Sequence, residues 1–256
     1  MDDAVPNVAR MYDYYLGGTE AHAVDRDAAE KVLAAAPQVR AAVLENRGFL
    51  ERAVAFLAAR GIDQFLDLGS GLPTRRNVHE ILADIAPGSR VVYVDHDPDV
   101  VTRGRELLAG DDTAICLRGD IRQLPRLVAD PAVRGMIDFT RPVGVLALAV
   151  LNFVGDEDDP AGIIQRLRRL VPAGSLLALS HGARPDADPV ADGVERVYQR
   201  ASGQAVLRTR EELTRLLKNC EPLPPGLVYA NQWTADPARP LPGAGTAMTL
   251  AAVVAL

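Results

Sequence analysis

Phe65-Leu66-Asp67-Leu68-Gly69-Ser70-Gly71-Leu72-Pro73-Thr74 joins an apolar run to a glycine-rich turn, with an acid two residues before the first glycine. A short apolar run bounded by glycine predicts a buried strand over Gln64–Leu68. The Thr74 hydroxyl suits an N-cap, so a helix is expected to begin there. Further strands are expected at Arg90–Val94, ending in Asp95-His96-Asp97-Pro98, and at Thr113–Leu117, ending in Arg118-Gly119-Asp120-Ile121. Val143–Val150 is apolar on both faces, which predicts a central strand of a parallel sheet. Asp159 followed by Pro160 opens another helix, which Pro172 and Gly174 end before a fifth strand at Ser175–Ser180. Strands alternating with helices in this way imply βαβ crossovers, hence an α/β fold.

The flanks read differently. Residues 1–61 are expected to form a helical cap, part of the same domain as the 62–256 core. Within it, Gln38–Arg60 places Val39, Val43, Asn46, Leu50, Val54 and Leu57 on one stripe, closed by Gly61. Asn46 stands where an apolar residue is expected: it is either a satisfied buried amide or an amide turned toward a ligand. Arg10–Gly18 holds three of the six tyrosines and ends in Gly-Gly. Beyond the fifth strand, residues 183–208 are rich in Asp, Pro, Gly and Arg around one helix, Pro189–Ala201, and read as an insertion on the acceptor side. Thr209 with Glu212 forms a capping box, and Leu227–Trp233 and Thr246–Leu256 are expected as two more strands.

Composition removes whole classes of function. An apolar share of 48% and a mean hydropathy of +0.02 exclude a disordered chain. A net charge of −6 carries no electrostatic footprint for nucleic acid. The longest apolar run, Val143–Leu151, is too short to span a membrane, and MDDAVPN lacks a signal-peptide pattern, so a cytoplasmic location is expected. Cys116 and Cys220 are far apart and form no ligand pattern; Asp156-Glu157-Asp158-Asp159 lacks the glycine of a calcium loop. No metal is expected.

The chemistry lies at the strand ends, where open parallel sheets bind ligands. Gly69-Ser70-Gly71 lets the backbone approach a ligand closely. Asp95 suits a ribose diol, Asp120 suits an exocyclic amine, and Ile121 suits the face of a base. Together they outline an adenosine. A dinucleotide site wants a third glycine where this chain has Thr74, and Asp67 would repel a pyrophosphate while attracting the ammonium of a methionine. The charge therefore points to S-adenosyl-L-methionine rather than NAD; dinucleotide-dependent reduction survives only if Asp67 faces away from the site.

The segments FLDLGSGLPT (65–74), VVYVDHDP (91–98) and GDIR (119–122) resemble a class I methyltransferase. More closely, the chain resembles a bacterial, mostly actinobacterial, family of S-adenosyl methyltransferases. The likeness rests on Arg10–Gly18, Glu45-Asn46-Arg47, Gly71–Thr74 and Leu179-Ser180-His181. It implies a Rossmann-like, mostly parallel seven-stranded sheet with helices on both faces and an N-terminal helical cap. It also implies that Gly69, Ser70 and Gly71 line the methionine part with Asp67 behind them. Asp95 would take the ribose, with His96 beside the adenine and Asp120 and Ile121 holding the base. Ala149 to Asn152 would form the floor, and the segment with Tyr14, together with Arg47, would close as a lid. Many relatives carry His where this chain has Asn152, and differ at Ala21–Arg26, so the acceptor chemistry is expected to differ too. His181 or Tyr14 is the expected aid to the acceptor, a small molecule, with S-adenosyl-L-homocysteine as product. A second reading is a non-catalytic module that binds either sulfur nucleoside as a regulator.

Overall fold

β1 (Gln64–Leu68) is buried at every position, as a strand with helices on both faces must be. The computed structural model describes residues 5–74, 76–184, 189–236 and 245–256. β1 pairs in parallel with β2 (Arg90–Asp95) on one side and β4 (Gly144–Leu148) on the other. β2 continues to β3 (Ala114–Arg118), and β4 to β5 (Leu176–Gly182). The last strand, β8 (Thr249–Ala255), runs antiparallel to β5, from Leu176 opposite Ala255 to Gly182 opposite Thr249. The strand order is β3-β2-β1-β4-β5-β8-β6.

Among the described residues the sheet has eight strands where seven are expected. Beyond β8, one edge position is shared by two short pieces, β6 (Glu221–Pro222) and β7 (Val228–Tyr229), which pair with successive parts of β8. Pro222, Pro224 and Pro225 have no N–H to give to a ladder, so the edge breaks between the two pieces. The strand expected over Leu227–Trp233 shrinks to Val228–Tyr229 for the same edge, and the chain then turns inward. There Trp233 is fully buried, edge-on to Phe49 at 5.2 Å and Phe56 at 5.3 Å.

Strand alternation sorts the core into two layers. Phe65, Val91, Tyr93 and Leu146 face α3 (Val39–Ala58), α4 (Val78–Ile85) and α5 (Pro98–Leu107). Leu66, Leu68, Val92, Val145 and Ala147 face α6 (Leu124–Ala129), α7 (Pro131–Met136) and α8 (Pro160–Leu170). The helix after β1 starts later than expected. Asn77, not Thr74, caps α4, through a capping box with Glu80, and Asn77 Oδ1 accepts from the Thr74 N–H at 3.1 Å. The Thr74 hydroxyl is left buried and without a partner. In the 183–208 stretch, α9 spans Pro189–Tyr198, shorter than expected, while residues 185–188 lie outside the described ones. α10 (Arg210–Leu216) keeps the Thr209–Glu212 capping box.

The cap is formed by α1 (Val8–Tyr15) and α2 (Ala23–Ala35), which pack with α9 through Met11, Tyr15, Ala29, Val32 and Val194. A buried ion pair locks it to the core. Arg10, 5% exposed, donates Nε to Asp25 at 2.5 Å and Nη1 to Asp99 of α5 at 3.0 Å. Asp25, fully buried, also accepts the backbone N–H of Asn7 at 2.7 Å and of His22 at 2.8 Å. The Gly-Gly turn has a steric cause: a Cβ on Gly18 would stand 2.0 Å from the Asp13 carboxylate, which accepts the Glu20 N–H.

Removing Asp25 leaves buried Arg10 with Asp99 alone and takes the acceptor from the Asn7 and His22 N–H groups, a loss on the scale of about 3–5 kcal/mol found when a buried ion pair is broken. Asp25→Ala is expected to lower the unfolding free energy by that amount in urea titrations. The double variant Arg10→Met/Asp25→Leu should recover only part of the loss, because the Asn7 and His22 N–H groups still lose their acceptor.

Candidate active site

The strands end at a cavity of about 660 Å³. Its rim is built from the turn after β1 (Asp67, Gly69, Ser70, Gly71), the end of β2 (Asp95, His96), the end of β3 (Asp120, Ile121) and the end of β4 (Ala149, Asn152). Asn46 and Arg47 of α3, and Val8, Ala9 and Tyr12 of α1, close it from the cap side. Such a volume falls within the roughly 300–1,000 Å³ typical of small-molecule sites.

The turn after β1 is shaped by its first glycine. Gly69 has φ +69°, and a Cβ there would lie 2.2 Å from Val150 Cγ2. Its N–H and that of Ser70 both reach the Val94 carbonyl, at 2.8 and 3.1 Å, so the turn bends tightly over β2. Opposite, Ala149 adopts φ +55°, a conformation that a residue with a side chain rarely takes and that clusters at functional sites. It is held there because the Ser180 carbonyl and hydroxyl both accept its N–H at 3.0 Å.

The acids differ sharply in what they touch. Asp95, 7% exposed, accepts the Gly71 N–H on one oxygen and the Asp97 N–H on the other, each at 3.0 Å. His96 Nδ1 lies 3.5 Å from Asp95, which raises the imidazole pKa above its ordinary value against the effect of burial. Asp120 is clamped by Arg122, whose Nη2 is 2.7 Å away and whose Nη1 reaches Asp158 at 3.1 Å; the guanidinium holds the Asp120 carboxyl below the usual range. The carboxylate keeps spare acceptor sites despite the clamp. Asp67 is the exception. It is 6% exposed, and no group among the described residues donates a hydrogen bond to its carboxylate. Burial pushes its pKa up to about 7, with Arg47 opposing and Asp95 adding to the rise.

The sequence profile of a family described as S-adenosyl methyltransferase matches residues 1–256. The chain belongs to that family. A DUF574 family protein of Streptomyces avermitilis is similar to it, at 36% identity and a TM-score of 0.91, over 99% of this chain and 98% of the other. A protein of Thermobifida fusca YX, described as a presumptive methyltransferase, is 34% identical with a TM-score of 0.90, over 99% and 96% of the two chains. No functionally curated protein matches. The fold is thus the Rossmann-like methyltransferase fold, the enzyme is S-adenosylmethionine-dependent, and its cofactor is S-adenosyl-L-methionine. The buried Asp67, the close-approach glycine turn and the acid ending β2 are groups whose chemistry fits this cofactor. Among the described residues no group of His, Cys, Asp and Glu could hold a metal ion, and no helix is long and apolar enough to cross a membrane.

Two residues expected to aid the acceptor stand elsewhere in this methyltransferase. His181 is fully buried and does not line the cavity. Arg208 Nη1 donates to its Nε2 at 2.9 Å, so the ring is neutral and its Nδ1–H donates to the Gly182 carbonyl. Burial lowers its pKa to about 4, with the Gly182 carbonyl opposing and Arg208 adding. Its work is to seat Arg208, which also binds the Leu151 and Val154 carbonyls and Asp156, and so holds the floor loop. Tyr14 points away from the cavity: its hydroxyl donates to Glu30 and Arg40 sits over its ring at 5.7 Å. Tyr12 and Tyr15 line the cavity instead; their spacing of three places them on one helical face and Tyr14 off it, a signal present in the sequence. Asn152 joins floor to insertion, its Oδ1 accepting the Gly182 N–H at 2.9 Å and its carbonyl the Val206 N–H at 2.7 Å.

A histidine with a folded pKa near 4 refuses a proton that the unfolded chain accepts below about 6.5, so its contribution erodes as pH falls through that window. The stability difference between the wild type and His181→Gln is expected to shrink by about 3 kcal/mol between pH 7 and pH 4. Urea titrations of both proteins across that range check it.

Proposed function

We propose that this methyltransferase binds its cofactor along the β1–β2–β3 rim and methylates a small molecule held under α9 and residues 202–207. The observation that carries the reading is Asp67, a buried carboxylate at the head of the glycine turn to which no group among the described residues donates a hydrogen bond. A primary ammonium group placed there satisfies both charge and hydrogen bonding. In this reading Gly69, Ser70 and Gly71 follow the methionine part, and Arg47 offers positive charge to its carboxylate. Asp95 takes the ribose hydroxyls while His96 borders the adenine. Asp120 accepts from the exocyclic amine, Ile121 packs on the ring, and Ala149 to Asn152 form the floor. Tyr12 and Val8, rather than Tyr14, cover the site from the cap. Residues of α9 and of the 202–207 stretch line the same cavity, which supports an acceptor role for the insertion.

When bound, the sulfonium supplies an electrophilic methyl group that needs no further activation by the protein. What the chain contributes is position and exclusion of water. The cap, tied down by Arg10 and Asp25, closes one side; the floor loop, tied down by Arg208 and Asn152, closes the other.

Calorimetric titration with S-adenosylmethionine, S-adenosylhomocysteine and NAD tests the assignment. Micromolar binding of both sulfur nucleosides and none of NAD is expected. Because Asp67 must be ionised to hold an ammonium, affinity should fall about tenfold for each pH unit below 7. Asp67→Asn should weaken binding by about 1.5–3 kcal/mol, yet stabilise the ligand-free protein at pH 8, where the wild type keeps a buried carboxylate ionised. An Asp67→Asn variant that binds as well as the wild type defeats the reading. Release of S-adenosylhomocysteine on adding cell extract separates methyl transfer from a purely regulatory role.

A further inference from the structure

Behind the rim, the cavity runs between α1, α2, α3 and α9, where its walls are apolar: Val32, Val43, Val194 and Met248 belong to the packing cluster of the cap. Polar atoms are nonetheless set into this wall. Tyr12 Oη accepts from Asn46 Nδ2 at 3.0 Å, which leaves Asn46 Oδ1 buried without a partner. Tyr15 Oη is likewise buried and unpartnered; the Tyr198 hydroxyl faces it without making an aligned hydrogen bond. All four residues line the cavity. A buried polar atom left unpaired is costly, and in a native protein it calls for a specific cause. Of the five such side-chain atoms among the described residues, three belong to residues lining this cavity: Tyr15, Asn46 and Thr74. Thr74 sits at the rim, on the side assigned to the cofactor. Tyr15 and Asn46 lie under the cap.

The chemistry of these groups limits what they recognise. An amide oxygen only accepts, so it asks for an N–H or O–H, while a phenol hydroxyl either donates or accepts. Of the cations that line the cavity among the described residues, Arg122 is paired with Asp120 and Asp158 at the rim, and Arg47, beside Asn46 on α3, acts on both Tyr12 and the buried Asp67. Asp67, Asp95, Asp120 and the Asp156–Asp158 turn give the whole cavity a negative field, which repels anions.

We propose that Asn46, Tyr15 and Tyr198, braced by Tyr12, form the acceptor subsite, and that it takes a neutral, largely apolar small molecule presenting one hydroxyl or amino group. The proposal rests on the cofactor placement given above, since the rim must be filled by the nucleoside for the capped end to be the acceptor's. Asn46 Oδ1 receives the acceptor's N–H or O–H and the Tyr15–Tyr198 pair meets its lone pair. The apolar wall holds the remainder.

The test uses the full-length protein saturated with S-adenosylhomocysteine, probed by ligand-observed NMR titration with 4-propylphenol, 4-propylanisole and 4-propylbenzoate. The phenol is expected to bind at least about tenfold more tightly than the ether, which lacks the donor, and than the carboxylate, which carries the wrong charge. Tyr15→Phe and Asn46→Leu should each weaken phenol binding about five- to tenfold. Tyr15→Phe should leave affinity for S-adenosylhomocysteine unchanged and raise the melting temperature of the ligand-free protein, because it removes an unpaired buried hydroxyl. Equal binding of the three probes, or none, overturns the proposal; so does a Tyr15→Phe variant that melts lower, which would make the hydroxyl a structural group. Failure of the wild type to bind S-adenosylhomocysteine at all would instead remove the cofactor placement on which the subsite depends.

Discussion

Parallel pairing of β1 with β2 on one side and β4 on the other is the constraint from which the site follows. Right-handed crossovers carry the chain from β1 outward through β2 and β3, then back across to β4 and β5. The turns that leave β1 and β4 therefore move apart, and a crevice opens between them at the carboxyl ends. Gly69 and Ala149 mark its two lips, both in left-handed backbone conformations. The lips also touch: Val150 occupies the space that a side chain on residue 69 would need. Neither turn is free to drift without the other.

The cap is coupled to the same rim through the first turn of α5. Asp97 caps that helix by accepting the Asp99 N–H at 2.8 Å, and its other oxygen receives the Asn7 side-chain amide at the head of α1. Asp99 takes Arg10. Two residues upstream, Asp95 is held by the Gly71 and Asp97 backbone N–H groups. The acid assigned to the ribose and the anchor of the cap thus share one short loop.

Stability and function draw on opposite treatments of buried polar groups here. Arg10, Asp25, Arg208 and His181 are buried with their hydrogen bonds made, and they hold the cap and floor loop in place. Asp67, Tyr15 and Asn46 are buried with bonding capacity left over, and all three line the cavity. A folded chain that leaves such groups unsatisfied is less stable than it could be. In the proposed reading, a ligand that supplies the missing partner removes the deficit and gains affinity from the same groups.

Strand order of acids and glycines was legible from one dimension. Each strand is local, its ends are marked by Gly, Asp or Pro, and a βαβ chain must bring the ends of its parallel strands to one edge, so Asp67, Gly69, Asp95 and Asp120 converge by topology alone. The acidic residue before the glycine turn likewise identified the charge of the ligand. Other features depended on distant contacts. His181 follows a strand as a rim residue would, yet Arg208, 27 positions on, closes over it and makes it structural. Arg122 clamps Asp120 from two positions on, but its reach to Asp158, 36 positions away, is seen only in space. The strand expected over Leu227–Trp233 shortened to Val228–Tyr229, and Glu221–Pro222 joined the edge beside it, because both depend on pairing with β8. The sequence by itself determined the fold and the cofactor's charge pattern, because both arise from local spacing. Spacing along α1 groups Tyr12 with Tyr15 and sets Tyr14 apart, but only the tertiary structure decided that this face meets the cavity and which buried polar groups lack partners, because partnership is a property of space and not of order along the chain.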